Sequence, residues 1–161
     1  SISGLKEKQQ PDSIKIYDAQ TMKYEKGYPL PCPSGILFAD DHEGLWMMKE
    51  DSVVRMKAET GERLPQTIKI PQDVNAVSFS IDTKRQRLLL PNRGKDLNVL
   101  IYSNIYKQPE LTGTFGNKGG VFAQTGKYKK GEAGPLRFSG PTGAGVDAKG
   151  NIYISNTRFS F

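Results

Sequence analysis

The chain of 161 residues contains one cysteine and one histidine, so few of the usual catalytic arrangements can be built from it. Cys32 lies between two prolines in a turn-like segment, with no histidine arranged to activate it as a nucleophile. His42 lies among three acidic residues in the segment 40–44, which is typical of a solvated turn. Without a second histidine or cysteine the sequence argues against a zinc site, and because its one histidine lies in a solvated acidic turn it also argues against a Ser-His-Asp triad. We therefore predict no catalytic residue.

A basic, glycine-rich segment between Gly119 and Gly131 is the most distinctive place where side chains could contact a ligand. Its glycine spacing is one residue longer than a phosphate-binding loop requires, and a tyrosine stands where such a loop places Ser or Thr. Its lysines, interleaved with an aromatic ring, favour contact with a phosphate backbone or stacking on a base or sugar ring. The alternative is a solvated loop. The predicted ligand contacts here are Lys127, Tyr128, Lys129 and Lys130.

The composition favours a turn-rich globular protein with an affinity for negative charge. The formal net charge is +6 and the pI about 9.4, which permits a polyanionic partner. The 17 glycines and 10 prolines favour turns and argue against a helical bundle. The longest apolar stretches are about five residues, whereas a membrane helix needs roughly 20, so no membrane partner is expected. The compartment is left open, with a location outside the cytoplasm favoured.

Short strands bounded by turn residues run through most of the chain and predict an all-β protein. Residues 13–18 alternate polar and apolar, and 36–39 form the continuous apolar run of a strand that is buried on both faces. The strands recur in one order. Four strands make up one repeating unit, and the third strand of each unit begins near residues 14, 53, 99 and 158. The units are therefore spaced by about 39, 46 and 59 residues. The first two spacings are close to the length of a four-stranded propeller blade, about 40–45 residues.

One segment carries a specific motif. Phe115-Gly116 leads through a glycine-rich spacer to Pro141-Thr142-Gly143, an apolar strand ending in Asp147, and then Gly150-Asn151 with alternating apolar residues. In these positions the sequence resembles the NHL-repeat family of β-propellers, over about 45 residues. The match is weaker at 33–46 and degenerate at 74–79. Where family repeats usually have Ala-Asp-Thr after the second strand, this chain has Ser155-Asn156-Thr157.

The resemblance implies where a ligand would bind. Such propellers place ligand sites at one mouth of the central channel, where loops entering the first strands meet loops between the second and third strands. Mapped onto this chain, that mouth gathers the long loop at 117–139, which we call the insertion, and the basic residues Arg93, Lys95 and Arg158. It also gathers amide oxygens of a kind that Ca²⁺ accepts, from Asn75, Asn92 and Asn156. The alternative is that these asparagines only form turns.

The repeats divide the single domain 1–161 into a propeller segment of roughly three blades. We predict an opening half-blade at 14–30, blades at 33–70 and 74–115, an inserted loop at 117–139 and a partial blade at 141–161. At least about four blades are needed to close a ring. Either the chain is a fragment of a longer propeller, or two copies combine into a composite dimeric ring of about six blades; the fragment is favoured because an unfinished sheet edge invites aggregation.

These observations predict a non-enzymatic binding or interaction scaffold that recognises a protein or glycan partner at one mouth of the channel and needs no cofactor. One alternative is a propeller hydrolase or lyase that depends on Ca²⁺ held by the three asparagines. Another is a protein that binds nucleic acid through the basic mouth loops.

Overall fold

The computed structural model describes residues 12–30 and 35–157, and within them it confirms the predicted all-β class. Twelve strands and two short 3-10 turns form the described part, which contains no α-helix. The strands are β1 (Ser13–Tyr17), β2 (Tyr24–Pro29), β3 (Leu37–Ala39), β4 (Gly44–Met48), β5 (Ser52–Lys57), β6 (Arg63–Lys69), β7 (Ser80–Asp82), β8 (Arg87–Pro91), β9 (Val99–Ser103), β10 (Glu110–Phe115), β11 (Pro141–Val146) and β12 (Ile152–Asn156). No helix in these ranges is long and apolar enough to span a bilayer.

The strands form four antiparallel sheets, and each sheet uses strands that are consecutive in the chain. Two strands make the first sheet (β1–β2), four the second (β3–β6), four the third (β7–β10) and two the fourth (β11–β12). Every pair is joined as an antiparallel neighbour, as in a meander. Residues 12–30 and 35–157 do not close these sheets into a ring.

The main core lies between the second and third sheets. Trp46, Val53 and Ile68 of the second sheet pack with residues of the third that include Leu88 and Leu90. Because successive side chains of a strand point to opposite faces, the neighbours of these core residues belong to a different layer. They form a second cluster of Met47, Val54 and Met56 with Leu30 and Leu45, on the side of the first sheet. The sheets therefore stack face to face.

The first strand of the second sheet is less buried than its sequence predicts. The apolar run 36–39 is typical of a strand covered on both faces, but Leu37 is 41% exposed. Leu37 pairs with Met47 and therefore lies on the face that the first sheet covers only in part. The expectation of burial on both faces was wrong here, because what covers a strand is decided by the neighbouring sheet.

An aspartate closes the hairpin between the first and second strands of three sheets. Each carboxylate accepts a backbone hydrogen bond from three or four residues later: Asp40 from Gly44 (2.9 Å), Asp82 from Arg85 (3.2 Å) and Asp147 from Asn151 (2.9 Å). Each turn also contains one residue with left-handed backbone, at Glu43, Gln86 and Gly150. The third sheet thus has an aspartate-closed turn like those of the other two, one residue shorter between paired strand residues, although its sequence match is degenerate.

Candidate interaction site

The loops that enter the first strand of a sheet and those that join its second and third strands come together at one end of the third and fourth sheets. We call this the loop end and define it as residues 71–78, 92–98, 116–140 and 156–157. The backbone N–H of Arg93 donates to the carbonyl of Asn75 (2.8 Å), and that of Gly119 donates to the carbonyl of Asp96 (2.8 Å). Asp96 also pairs with Lys118 through its carboxylate (3.3 Å). The loop of Arg93 and Lys95 is therefore joined to the base of the insertion.

Asn92 ties the end of β8 to the segment that enters β7. Its side chain is buried, and its Oδ1 accepts from the backbone N–H of Asn75 (3.1 Å) and of Gly94 (2.7 Å). Its Nδ2 donates to Oδ1 of Asn98 at 3.3 Å. A buried side-chain amide with both ends bonded holds two loops in register. Asn92 is thus a structural link at the loop end.

Asn156, the last residue of β12, has the same linking role in the fourth sheet. Its Oδ1 accepts from the backbone N–H of Ser139 (2.9 Å) and of Gly140 (3.0 Å), the residues that precede β11. The calcium prediction needs the amide oxygens of Asn92 and Asn156, and here each of them receives two backbone donors. Asn75 lies beside Asn92 at the third sheet, whereas Asn156 bonds the residues that enter β11 of the fourth sheet. No group of three or more His, Cys, Asp or Glu residues placed to hold a metal occurs in 12–30 and 35–157; the calcium site stays a prediction.

The insertion folds around one buried arginine, Arg137, which is 3% exposed. Its Nε donates to the carbonyl of Glu132 (2.9 Å) and its Nη1 to Oγ1 of Thr125 (2.9 Å). Its Nη2 donates to the carbonyls of Val121 (2.9 Å) and Lys129 (3.0 Å). All four acceptors belong to the insertion, so a single guanidinium draws the segment 121–132 into one closed loop. Hydrogen bonds from a charged donor are stronger than neutral ones.

The two ends of the insertion are bonded to each other, and Phe138 also packs against Phe115 of β10. The backbone N–H of Asn117 donates to the carbonyl of Leu136 (2.7 Å), and that of Val121 to the carbonyl of Phe138 (3.0 Å). The rings of Phe115 and Phe138 lie 6.0 Å apart. Gly120 has a left-handed backbone (φ 49°), and a Cβ there would overlap the carbonyl oxygen of Phe138. The chain can take this path only with glycine at position 120.

The predicted contact residues of the insertion have two different environments. Lys127, Lys129 and Lys130 are exposed, whereas Tyr128 is half-buried. The Tyr128 ring centroid lies 5.2 Å from the Arg137 guanidinium carbon and 5.5 Å from Nζ of Lys127. The ring covers the arginine at the centre of the loop, so it is engaged within the insertion.

Of the remaining predicted contacts, Lys95 is exposed and Arg93 is half-buried, and both lie in the loop that Asp96 joins to the insertion. Arg158 lies outside the described residues. Sequence reasoning missed Arg137, which organises the loop. The available signal was weak: Arg137 is the one arginine between positions 94 and 157.

A second polar cluster, at the opposite end of the sheets, links the second sheet to the third. The buried carboxylate of Asp40 accepts from Nε of Arg55 (2.8 Å) and from Nε1 of Trp46 (2.8 Å). The ring centroid of Tyr106, in the turn after β9, lies 4.8 Å from the guanidinium carbon of Arg55 and 4.5 Å from the ring centroid of His42. His42 is exposed. The contacts of Tyr106 with Arg55 and His42 cross from the third sheet to the second and hold the two together.

Burial alone raises the pKa of Asp40, but the hydrogen bonds from Arg55, from the backbone of His42 and Gly44 and from Trp46 outweigh it and hold that pKa below its usual value. Burial, with the negative charge of Asp40 added, raises the pKa of Tyr106 to about 12. The cluster therefore consists of a charged pair beside a neutral phenol.

Comparison of the chain with models of protein families, with curated proteins and with solved structures finds no match. The likeness to NHL repeats stays a prediction from the sequence motif.

Proposed function

We propose that this chain is a segment of an NHL-like β-propeller that works as a non-enzymatic binding scaffold, with the insertion 117–139 as its recognition loop. The fold supports a propeller of this kind in two ways. Its sheets are meanders of consecutive strands, and they stack face to face through apolar layers. Blades of a propeller have the same connectivity and packing.

The observation that carries the binding role is the enclosure of Arg137. Long loops in compact proteins are usually either functional or disordered. Here the loop has its own internal order, because four hydrogen bonds from one guanidinium hold residues 121–132. Side chains on an ordered loop lose less conformational entropy when they meet a partner. The insertion thus presents Lys127, Lys129 and Lys130 from a prearranged support.

The charge of this surface indicates the chemistry of the partner. Three exposed lysines within four residues, together with Lys95, favour a partner that carries negative charge. Recognition of single-stranded nucleic acid relies on free aromatic faces for stacking. Tyr128 is instead engaged with Arg137 and Lys127. This arrangement favours an acidic protein segment or an anionic glycan over nucleic acid.

The test measures binding of two probes, an oligo-glutamate peptide and a heparin-type oligosaccharide, at rising salt. We expect at least one probe to bind, with an affinity that falls as salt screens the charges. Replacing Lys127, Lys129 and Lys130 by Glu should remove the binding. The matched control replaces three exposed lysines outside the loop end, Lys84, Lys107 and Lys149, by Glu and should retain most of it.

The proposal fails if neither probe binds, or if the control variant loses as much affinity as the loop variant. A single-stranded oligonucleotide that binds more tightly than both probes, through the same lysines, would transfer the proposal to nucleic acid.

A further inference from the structure

Two leucines at the loop end have a backbone conformation that L-residues rarely adopt. Leu97 has a φ of 45° and Leu136 a φ of 59°, which puts both in the left-handed region. In that region the Cβ lies too close to the following carbonyl oxygen, so a bulky residue is strained there and glycine is not. Within residues 12–30 and 35–157, the other non-glycine residues of this conformation lie in the short turns that join two strands: Met22, Glu43, Gln86 and Asn104.

The strain at Leu97 is offset by packing inside the protein. Leu97 is 4% exposed, so nearly all of its side chain is removed from water. A Cβ placed on Gly120 would come within 2.9 Å of the Leu97 Cβ, which shows that Leu97 lies directly against the base of the insertion. Burial of an apolar side chain is favourable. The packing of its side chain therefore explains why position 97 is a leucine.

The strain at Leu136 is not offset in this way by the described residues. Its carbonyl accepts the backbone N–H of Asn117 (2.7 Å), which fixes the path of the chain, but glycine would follow that path without strain. Leu136 is 45% exposed, in contrast to Leu97. Strained residues persist where the surrounding structure holds them, and they cluster at sites that bind ligands. The choice of leucine at 136 indicates a role for its side chain at the surface.

A second apolar side chain is exposed on the same loop. Phe122 is 42% exposed. It follows Val121, whose carbonyl accepts the backbone N–H of Gly131 (2.6 Å) and Nη2 of Arg137 (2.9 Å). These bonds bring the backbone of Phe122 next to the lysine pair that precedes Gly131 and next to the side chain of the residue that follows Leu136. The insertion therefore carries two exposed apolar side chains together with its lysines.

The insertion holds most of the excess positive charge of the protein. Residues 117–139 contain five Lys or Arg residues and one Glu, a net charge of +4 out of +6 for the whole chain. Lys127, Lys129 and Lys130 are exposed, and none of the ion pairs formed within residues 12–30 and 35–157 involves them. Complementary charge selects an acidic partner, and apolar side chains at an interface need apolar groups opposite them.

We propose that the partner of the insertion is an acidic protein segment that carries a large apolar side chain. Leu136 and Phe122 contact this side chain, and the lysines pair with the carboxylates of the segment. The inference rests on the proposed function, because it names the partner of the same loop. It selects a peptide over an anionic glycan, since a sulfated sugar has negative charge but no aliphatic or aromatic side chain to cover Leu136.

The first experiment measures binding of two oligo-glutamate peptides of equal length and charge, one with a central leucine and one with a central serine. We expect the leucine peptide to bind about fivefold more tightly or better, and more tightly than a heparin-type oligosaccharide. Leu136→Gly and Phe122→Ser should each reduce the preference for leucine by about half or more. The matched control is Leu111→Ser, at a leucine of β10 that is 51% exposed and outside the loop end, and it should leave the preference unchanged.

The second experiment separates a recognition role of Leu136 from a structural one. Leu136→Gly relieves the left-handed strain, so the melting temperature of the 161-residue chain should stay within about 2 °C or rise. Leu97→Gly relieves the same strain but also removes a buried side chain, and it should lower the melting temperature by about 5 °C or more.

Equal binding of the two peptides, or tighter binding of the heparin-type oligosaccharide than of the leucine peptide, would overturn the inference and leave the proposed function intact. A melting temperature that falls as far in Leu136→Gly as in Leu97→Gly would also overturn it, because Leu136 would then be a core residue. Absence of binding by all three probes would refute the proposed function and this inference with it.

Discussion

Replacing Arg137 by Met should open the insertion without unfolding the sheets. The change removes four hydrogen bonds, to the carbonyls of Val121, Lys129 and Glu132 and to Thr125. A hydrogen bond with a charged donor contributes about 1.5–3 kcal/mol, but carbonyls freed in a surface loop regain water, so about 1 kcal/mol for each bond is the better figure. The free energy difference that favours the closed loop over the open loop then falls by about 3–4 kcal/mol.

That loss corresponds to a rise of between about 100- and 1000-fold in the population of open loops, since 1.36 kcal/mol is tenfold. Hydrogen–deuterium exchange resolved by segment measures it directly. The amides of Val121 and Gly131, which donate to the carbonyls of Phe138 and Val121, should lose protection by this factor. Amides of β4, β5 and β8 should not change, because every acceptor of Arg137 lies within the insertion.

The matched control is Arg63→Met, at an exposed arginine of β6 whose Nη2 donates to Oγ1 of Thr67 (3.2 Å). It should leave exchange in the insertion unchanged. Arg137→Lys keeps the charge but has no planar guanidinium, so it should show intermediate protection. Unchanged exchange at Val121 and Gly131 in Arg137→Met would refute the view that this arginine organises the loop.

Three further substitutions test the other contacts. Asn92→Ala removes the acceptor of two backbone donors, the N–H groups of Asn75 and Gly94, and should lower the free energy of unfolding in urea by about 1–3 kcal/mol. An effect below about 0.5 kcal/mol, the lower end for one hydrogen bond, would contradict the linking role. The pKa of Asp40 in the folded protein lies below its value of about 3.8 in the unfolded chain. Its contribution to stability is therefore complete above pH 3.8 and is lost as the pH falls through the pKa of the folded protein. Measured from about pH 7 to 3, the unfolding free energy of Asp40→Asn should fall less with acid than that of the native chain. The buried hydroxyl of Tyr106 has no hydrogen-bond partner among the described residues, so Tyr106→Phe should leave the melting temperature unchanged or raise it, and a clear fall would show that the hydroxyl is bonded.

The strand content of this protein follows from local sequence. Alternation at 13–18 and the regular return of Gly, Pro, Asn and Asp predict strands and turns wherever the side-chain period and the backbone preference agree, as at β1, β4, β5 and β12. Prediction was poorer for the third sheet. The residue pattern at 76–79 predicts a strand as the first of that sheet. The regular strand there is instead Ser80–Asp82, and Ala76 contributes one isolated bridge to Asn92.

The candidate site shows the limits of local reasoning more clearly. The sequence identifies the insertion as basic and glycine-rich, and so predicts a surface for negative charge. It does not indicate that Tyr128 lies over a buried arginine nine positions later, because a contact of that kind depends on how the loop closes. The same holds for Asn92 and Asn156, whose residue type is equally suitable for a metal and for a turn, and whose oxygens meet backbone donors from a different part of the chain.

The sequence by itself determined the all-β class and the position of the long loop between β10 and β11, because both depend on residue type and spacing along the chain. Tertiary structure alone decided which faces are covered, which asparagine oxygens are used and that one guanidinium organises the insertion. Those outcomes depend on the approach of residues far apart in sequence, and neither composition nor period encodes the distance between them.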